Sequence, residues 1–232
     1  MFNEFEKEDD SWRPDPPKWT VIVKKSISYA FSALVIGIIA FLVIRMIMSK
    51  PPKDMKQLVW NDTLLNAYTV ASNEGRELEI KQISSTDSFS EDSMFSVYTI
   101  LYVPEIKQLQ FTVRYNNRAL NYLVQDYPEA QSVIDKNSDK DPLNDEEIYV
   151  FNLTYRKDGQ LCALTDYTSY ADSKAGYTYR RLVFENVDLT GIAEIYVNVC
   201  YAGRPNSPRH TMYVYHDKFA ILDYIYDAPK QD

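Results

Sequence analysis

The sequence predicts one transmembrane helix followed by a mainly-β C-terminal domain, an antiparallel β-sandwich with one short inserted helix. Three observations predict this fold class. Residues 26–44 form an uncharged apolar run, and from residue 76 onward apolar and polar residues alternate in nine short runs. Turn-forming residues, rather than long helices, separate most of these runs. Parallel strands need crossovers of about a dozen residues or more, so short turns favour antiparallel pairing.

Composition disfavours a nucleic-acid-binding protein and a disordered chain. The 232 residues include 25 basic and 33 acidic side chains, a net charge of −8, which disfavours a nucleic-acid partner. The hydrophobic share of 45% and the aromatic share of 14% are too high for a disordered chain. Nineteen tyrosines against six glycines favour extended, pleated structure.

The apolar run has the length of a membrane span. At about 1.5 Å per residue, a helix over residues 26–44 covers roughly 28 Å of hydrocarbon. Lys25 and Arg45 flank the run, and Pro51 with the proline after it stops the helix. We therefore predict a transmembrane helix over residues 26–48, and we expect membrane lipid to be one of its partners.

The residues around the span predict a signal-anchor. Twenty-five residues precede the apolar run and no small-x-small cleavage pattern follows it, so we expect the segment to stay uncleaved.

Five basic residues before the span and four after it do not decide the orientation of the helix in the membrane. Residues 57–232 carry 16 basic and 26 acidic side chains, and long domains translocate largely regardless of charge. We expect a cytoplasmic N-terminus and an extracytoplasmic C-terminal domain.

Small residues recur along one side of the predicted helix, at spacings of three and four. They are Ala30, Ala33, Gly37 and Ala40. Small residues let membrane helices approach closely, so this seam predicts a homodimer through the transmembrane helix. The alternative is ordinary membrane-helix composition, in which alanine and glycine are common.

The rest of the chain divides by its patterning. Residues 1–25 mix acidic, proline and aromatic residues without a sustained period, which predicts a disordered cytoplasmic head. We expect residues 49–75 to form a tether and a short amphipathic segment, and residues 76–232 the extracytoplasmic β-sandwich domain. Residues 117–133 have helical spacing up to Pro128 and predict the inserted helix.

The alternating runs place apolar side chains on one face of each strand. One run shows this clearly, with Phe95, Val97, Thr99, Leu101 and Val103 on the same face. In architecture alone the chain resembles immunoglobulin-like extracytoplasmic modules. It lacks the spacing of antibody-type domains, because no tryptophan lies between Cys162 and Cys200.

One acidic segment matches the ligand spacing of an EF-hand loop. Oxygen-bearing side chains occupy positions 1, 3, 5, 7 and 12, namely Asp135, Asn137, Asp139, Asp141 and Glu146. Calcium needs such a shell of oxygen ligands. Lys140 stands where the sharp turn requires glycine, and a strand rather than a helix follows. Calcium and a solvated acidic loop are both open interpretations, and no other cofactor is expected.

Cys162 and Cys200 lie in two separate alternating runs. If these runs face each other in an oxidising compartment, the two cysteines can form a disulfide. The alternative is a pair of buried, unbonded thiols that pack as small hydrophobic side chains.

Residues suited to catalysis are few. His210 and His216 are the only histidines, and they lie six apart on one predicted strand, facing the same side about 20 Å from end to end. The sequence contains no nucleophile elbow, no HExxH and no CxxC motif. We therefore predict no catalytic residues and do not expect an enzyme.

Tyrosine is concentrated after the span, where 18 of the 19 lie. Its apolar ring and polar hydroxyl suit a binding face for carbohydrate or peptide, and they also stabilise a sheet through cross-strand contacts without any ligand.

Three hypotheses for function follow from this organisation. The leading one is a membrane-anchored β-sandwich that makes binding or structural contacts with a protein or envelope partner. The alternative is a bitopic signalling or assembly component, in which the outer domain is coupled to the cytoplasmic head. An extracytoplasmic enzyme is the third.

Overall fold

The computed structural model describes residues 18–48, 50–84, 89–116, 118–138 and 148–229. Residues 1–17 of the predicted head therefore lie outside the described residues. The chain forms two compact units, Met1–Lys50 and Pro51–Asp232. The boundary falls within the predicted tether, so most of that segment belongs to the second unit.

The first unit contains one long helix, α1 (Lys18–Met48). Within it, Lys25–Ile47 is long and apolar enough to cross a membrane, and none of its most apolar stretch is buried in the protein. The helix begins before the predicted position 26, because Trp19, Ile22 and Val23 continue the apolar pattern. By length and composition, the part of the chain that the structure describes thus contains one candidate membrane-spanning helix, near the N-terminus.

The second unit is mainly β, with two antiparallel sheets. Sheet A contains β1 (Lys81–Ser84), β2 (Phe95–Val103), β3 (Gln108–Asn116), β6 (Thr168–Lys174), β7 (Tyr177–Phe184) and β10 (Ala220–Asp223). Sheet B contains β4 (Tyr149–Lys157), β5 (Gln160–Leu164), β8 (Glu194–Tyr201) and β9 (Pro208–His216). Their spatial orders are β10-β1-β2-β3-β7-β6 and β5-β4-β8-β9.

The alternation pattern identified the central strands but missed β6. This strand lies at the edge of sheet A, and Tyr170 is its only large apolar residue. Because an edge strand buries little, its sequence lacks the apolar half of the alternation.

Among the described residues, three α-helices accompany the sheets, α2 (Asp62–Asn73), α3 (Arg118–Asp126) and α4 (Ala130–Ser138), together with two 3₁₀ turns, Asp54–Lys56 and Pro104–Ile106. The single inserted helix predicted over residues 117–133 is thus two helices. Proline lacks the amide hydrogen that continuing a helix requires, and Pro128 lies between them. Asn61 caps α2, since its side-chain oxygen accepts a hydrogen bond from the backbone N–H of Leu64 at 3.0 Å.

Both sheets contribute to one hydrophobic core. Phe95, Phe111 and Phe184 come from sheet A, and Phe151 and Val197 come from sheet B. The rings of Phe111 and Phe184 stack with centroids 5.7 Å apart. The face of each sheet turned away from this core is called its outer face below.

The outer face of sheet A is covered by α2 and by residues 51–61, which we call the strap. Leu58 of the strap and Leu64 of α2 pack with Leu101 and Val103 of β2 in a second apolar cluster. The sequence analysis separated residues 49–75 from the domain, whereas the structure packs most of them onto it. Burial of apolar side chains such as Leu58 and Leu64 accounts for this difference.

Candidate functional site

The outer face of sheet B is built by simple alternation along its strands. In β4, Phe151 and Leu153 point into the core, so Asn152 and Thr154 between them lie on the outer face. Aromatic side chains join these polar residues on the neighbouring strands, and Tyr213 of β9 is exposed. The result is a face of mixed aromatic and polar character.

A row of hydrogen-bonded side chains crosses three strands of this face. Thr211 of β9 donates to Oδ1 of Asn198 at 2.8 Å, and Nδ2 of Asn198 donates to the hydroxyl of Thr154 at 2.7 Å. The central amide thus acts as both acceptor and donor. These bonds fix the orientation of all three side chains before any partner binds.

Next to this row lies a pair of tyrosine rings. The rings of Tyr196 and Tyr213 have centroids 4.6 Å apart and an interplanar angle of 39°. The hydroxyl of Tyr196 donates to the carboxylate of Glu194, and this bond raises the pKa of Tyr196. Glu194 thus holds the hydroxyl proton of Tyr196, and the Tyr196 ring lies beside the exposed ring of Tyr213.

An open cleft of about 650 Å³ adjoins the same face. Asn152 contributes from β4, Asp166 and Ser169 from the β5–β6 segment, and Asn206 from the β8–β9 loop. Nδ2 of Asn152 donates to the carbonyl of Pro205 at 3.0 Å, which ties the loop to the sheet. The volume is typical of ligand sites, and the lining is more polar than most small-molecule pockets.

The cleft has a buried cationic neighbour. Arg180 of β7 is 1% exposed, and its Nη1 lies 3.4 Å from the hydroxyl of Ser169, to which it donates. The positive charge behind Ser169 and the acidic side chain of Asp166 give the cleft groups of both signs.

The predicted calcium ligands lie mostly outside the described residues, since Asp139, Asp141 and Glu146 are not described. Asp135 lies in α4 and accepts a hydrogen bond from Nε2 of Gln131 at 2.6 Å. The backbone of Asn137 belongs to the same helix. Among the described residues, no three His, Cys, Asp or Glu side chains form a group that could hold a metal ion.

Cys162 and Cys200, for which a disulfide and two unbonded thiols were both open interpretations, are free thiols in the structure. They lie in the same sheet, on the two strands that flank β4. Cys162 is opposite Tyr155 and Cys200 is opposite Val150. The two β4 positions, 150 and 155, differ by five, and an odd difference places the cysteines on opposite faces of the sheet. The geometry supports the alternative of two unbonded thiols.

The two histidines lie at opposite ends of β9 and face different surroundings. The ring of His210 packs against core residue Phe95, with centroids 4.5 Å apart. His216 lies beside Tyr213 and Glu194. Register shifts in the β8–β9 pair interrupt the alternation from which the sequence analysis placed both histidines on one side.

Comparison with known proteins identifies no relative: no family model, curated protein or solved structure matches the chain. The candidate site therefore depends on its geometry alone.

Sequence reasoning identified tyrosine as the unusual residue type but missed the row of Asn198, Thr154 and Thr211. Polar residues between apolar ones in a strand normally face solvent, and nothing in the pattern distinguishes those that bond to one another. The distinction depends on register across three strands, which the sequence does not show.

Proposed function

We propose that this chain is a single-pass membrane protein that displays an immunoglobulin-like β-sandwich outside the membrane and binds a protein or envelope partner through the outer face of sheet B. In this proposal residues 1–25 lie in the cytoplasm, and the domain performs no reaction of its own.

The observation that carries the proposal is the combination of fixed polar groups with the paired rings of Tyr196, which is half-buried, and Tyr213, which is exposed, on one face. Tyrosine is enriched at interfaces because its ring supplies contact area while its hydroxyl hydrogen-bonds. The side chains of Asn198 and Thr211 are held in place by mutual hydrogen bonds, so a partner pays little entropy to order them. The adjoining cleft provides a concave region beside a flatter one.

Photo-crosslinking in the native membrane tests this proposal. A photoreactive amino acid replaces Tyr213 on the outer face of sheet B in one variant, and Tyr170 on edge strand β6 of sheet A in the other. The two positions are similarly exposed, 36% and 43%, so accessibility alone does not separate them. We expect a discrete crosslinked product at position 213 and none at position 170. No product at position 213, or the same products at both positions, contradicts the proposal.

The bitopic signalling or assembly component is the second candidate, and the strap favours it. Thr112 of β3 donates to the carbonyl of Met55 in the strap at 2.5 Å, so the segment that follows the membrane helix in the chain is bonded into sheet A. Deletion of residues 2–17 tests this candidate. If the head is the cytoplasmic output, the deletion abolishes the phenotype of the full chain although the displayed domain is unchanged. An unchanged phenotype eliminates this candidate.

A homodimer through α1 is part of both proposals. Ala30, Ala33, Gly37 and Ala40 lie in one continuous helix, and all four are exposed. A second copy is the partner that such a seam fits.

A further inference from the structure

A polar row on β3 lies beneath the strap. Gln108, Gln110 and Thr112 alternate along the strand on the outer face of sheet A, and all three are fully buried. Buried positions of a central strand usually hold apolar side chains, because polar groups need partners when they lose water. Here the strap provides several of those partners.

Most bonds between the row and the strap go to the main chain of the strap, and Gln108 also donates to the side-chain Oδ1 of Asn61 at 3.2 Å. Gln110 accepts from the N–H of Val59 and donates to its carbonyl, both at 2.9 Å. Thr112 donates to the carbonyl of Met55. Recognition through main-chain groups holds an extended peptide with little dependence on its sequence. Met55 lies in a 3₁₀ turn, Asp54–Lys56, whereas Val59 follows that turn, after the backbone becomes extended at Gln57. The two Gln110 bonds are therefore the contacts that another extended segment could make.

Arg181 of β7 lies directly against this row and is fully buried. Its guanidinium donates to the oxygens of Gln110 and Thr112, each at 3.4 Å, and its Nε has no hydrogen-bond partner. Among the described residues, no carboxylate forms an ion pair with it, and burial lowers the pKa of Arg181 to about 9. A buried charge without a counter-ion is costly to the folded state.

The strongest bond of Arg181 depends on an unusual backbone conformation. Nη1 donates to the carbonyl of Thr99 at 2.6 Å. Thr99 has φ of 47°, in the left-handed region that β-branched residues rarely adopt, and the β2–β3 register shifts at this point. Two unfavourable features, strained backbone and uncompensated charge, thus coincide under the strap. Such features cluster at functional sites.

We propose that Gln108, Gln110, Thr112 and Arg181 form a binding site for an extended peptide that carries a carboxylate side chain, and that the strap occupies this site in cis mainly through main-chain contacts. The strap lacks the group that the site is built to receive: its one acidic residue, Asp54, is exposed and forms no bond to Arg181. A guanidinium binds a carboxylate through two parallel hydrogen bonds, so an acidic peptide satisfies the donors that the strap leaves unused.

Peptide binding to the full chain in lipid nanodiscs tests the proposal. The strap is weakened by Val59→Pro, which removes the N–H that donates to Gln110. The probes are fluorescent peptides with the sequence of residues 51–61, either unsubstituted or with glutamate in place of one residue from 55 to 58. We expect at least one glutamate peptide to bind about tenfold more tightly than the unsubstituted peptide. This advantage is expected to disappear in Arg181→Gln and to persist in part in Arg181→Lys.

Two results overturn the proposal. If no peptide binds the Val59→Pro protein, the row is not a peptide site. If all peptides bind equally, or the glutamate advantage survives Arg181→Gln, Arg181 does not recognise the carboxylate.

A second measurement covers the case in which Val59→Pro prevents folding. Glutamate is placed within the strap of the full chain, as Met55→Glu or Gln57→Glu, each with Arg181 and with Arg181→Gln. For each glutamate, the change in Tm is measured once with Arg181 present and once with Arg181→Gln. We expect the change to be more favourable with Arg181 present for at least one of the two glutamates, so that the two substitutions are not additive. Purely additive changes in both cycles overturn the proposal.

Discussion

Val59 and Gln110 are bonded in both directions: the backbone N–H of Val59 donates to Oε1 of Gln110, and Nε2 of Gln110 donates to the carbonyl of Val59, each at 2.9 Å. A single side chain thus satisfies both main-chain groups of one strap residue. Because Gln110 is fully buried, water cannot readily replace it. This pair is therefore a principal contact between the strap and sheet A.

Gln110→Met tests the strength of that contact. Methionine fills a similar volume but leaves the N–H and C=O of Val59 without their partner, so we expect a loss of about 1 to 3 kcal/mol in the free energy of unfolding. Denaturant unfolding in detergent measures the loss. Fluorescence of Trp60 reports on the strap itself, because its ring lies 5.4 Å from that of Tyr68. Gln160→Met on exposed β5 is the matched control, and an equal effect there contradicts the assignment.

Elements whose pattern lies within one short segment can be predicted from the sequence. Burial that depends on a segment distant in the chain cannot. The apolar run of α1 and the strand β2 have local signals, and both appear in the structure. The single apolar face predicted for β2 is wrong, because the register shift between Tyr98 and Leu101 leaves Phe95 in the core and turns Leu101 to the outer face. Arg181 follows a second arginine in a run of strand-forming residues, and such a charged pair normally predicts an exposed position. Arg181 is fully buried on the outer face of sheet A, which residues 51–61, more than a hundred positions earlier, cover. No local pattern contains that information.

The same limit applies to the candidate site. Tyr213 and Tyr215 stand at alternate positions of β9, but Tyr213 is exposed whereas Tyr215 is only 9% exposed. Cys162 and Cys200 were correctly placed in strands, yet their pairing depended on strand order, and both flank β4 in one sheet.

The cysteines supply a second prediction. We expect non-reducing electrophoresis to show no faster-migrating form, because the two thiols lie on opposite faces of sheet B. In the folded protein an alkylating reagent should modify Cys162 and spare Cys200, which is fully buried and whose pKa is raised by burial. Mass spectrometry before and after unfolding distinguishes the two sites. A band that slows on reduction contradicts this arrangement.

His210 predicts a loss of stability in mild acid. Burial lowers its pKa below the ordinary value of 6.5, adjacent Arg209 lowers it further, and Asp92, 3.3 Å away, opposes the shift. The unfolded chain therefore binds the proton more readily, so the stability that neutral His210 contributes is present above pH 6.5 and lost as the pH falls below it. Tm measured from pH 7.5 to 5 should fall more steeply in the wild type than in His210→Gln. Parallel slopes contradict the prediction.

The seam on α1 predicts helix pairing. Gly37→Leu places a bulky side chain in the middle of the seam, whereas Ile38→Leu beside it changes shape without changing size. We expect only Gly37→Leu to lower self-association in a membrane reporter assay. Equal effects of the two substitutions, or no effect of either, would mean that the alanines and glycine are ordinary residues of a membrane helix and do not form an interface.

The side of the membrane on which the β domain lies is the central claim, and cysteine labelling tests it most directly. With Cys162 and Cys200 replaced by alanine, one variant carries Leu161→Cys, at a position 71% exposed on β5, and another carries Ser11→Cys before the span. A membrane-impermeant maleimide added to intact cells is expected to label position 161 at once, and position 11 only after the membrane is permeabilised. Labelling of position 11 in intact cells, with position 161 protected until permeabilisation, contradicts the account.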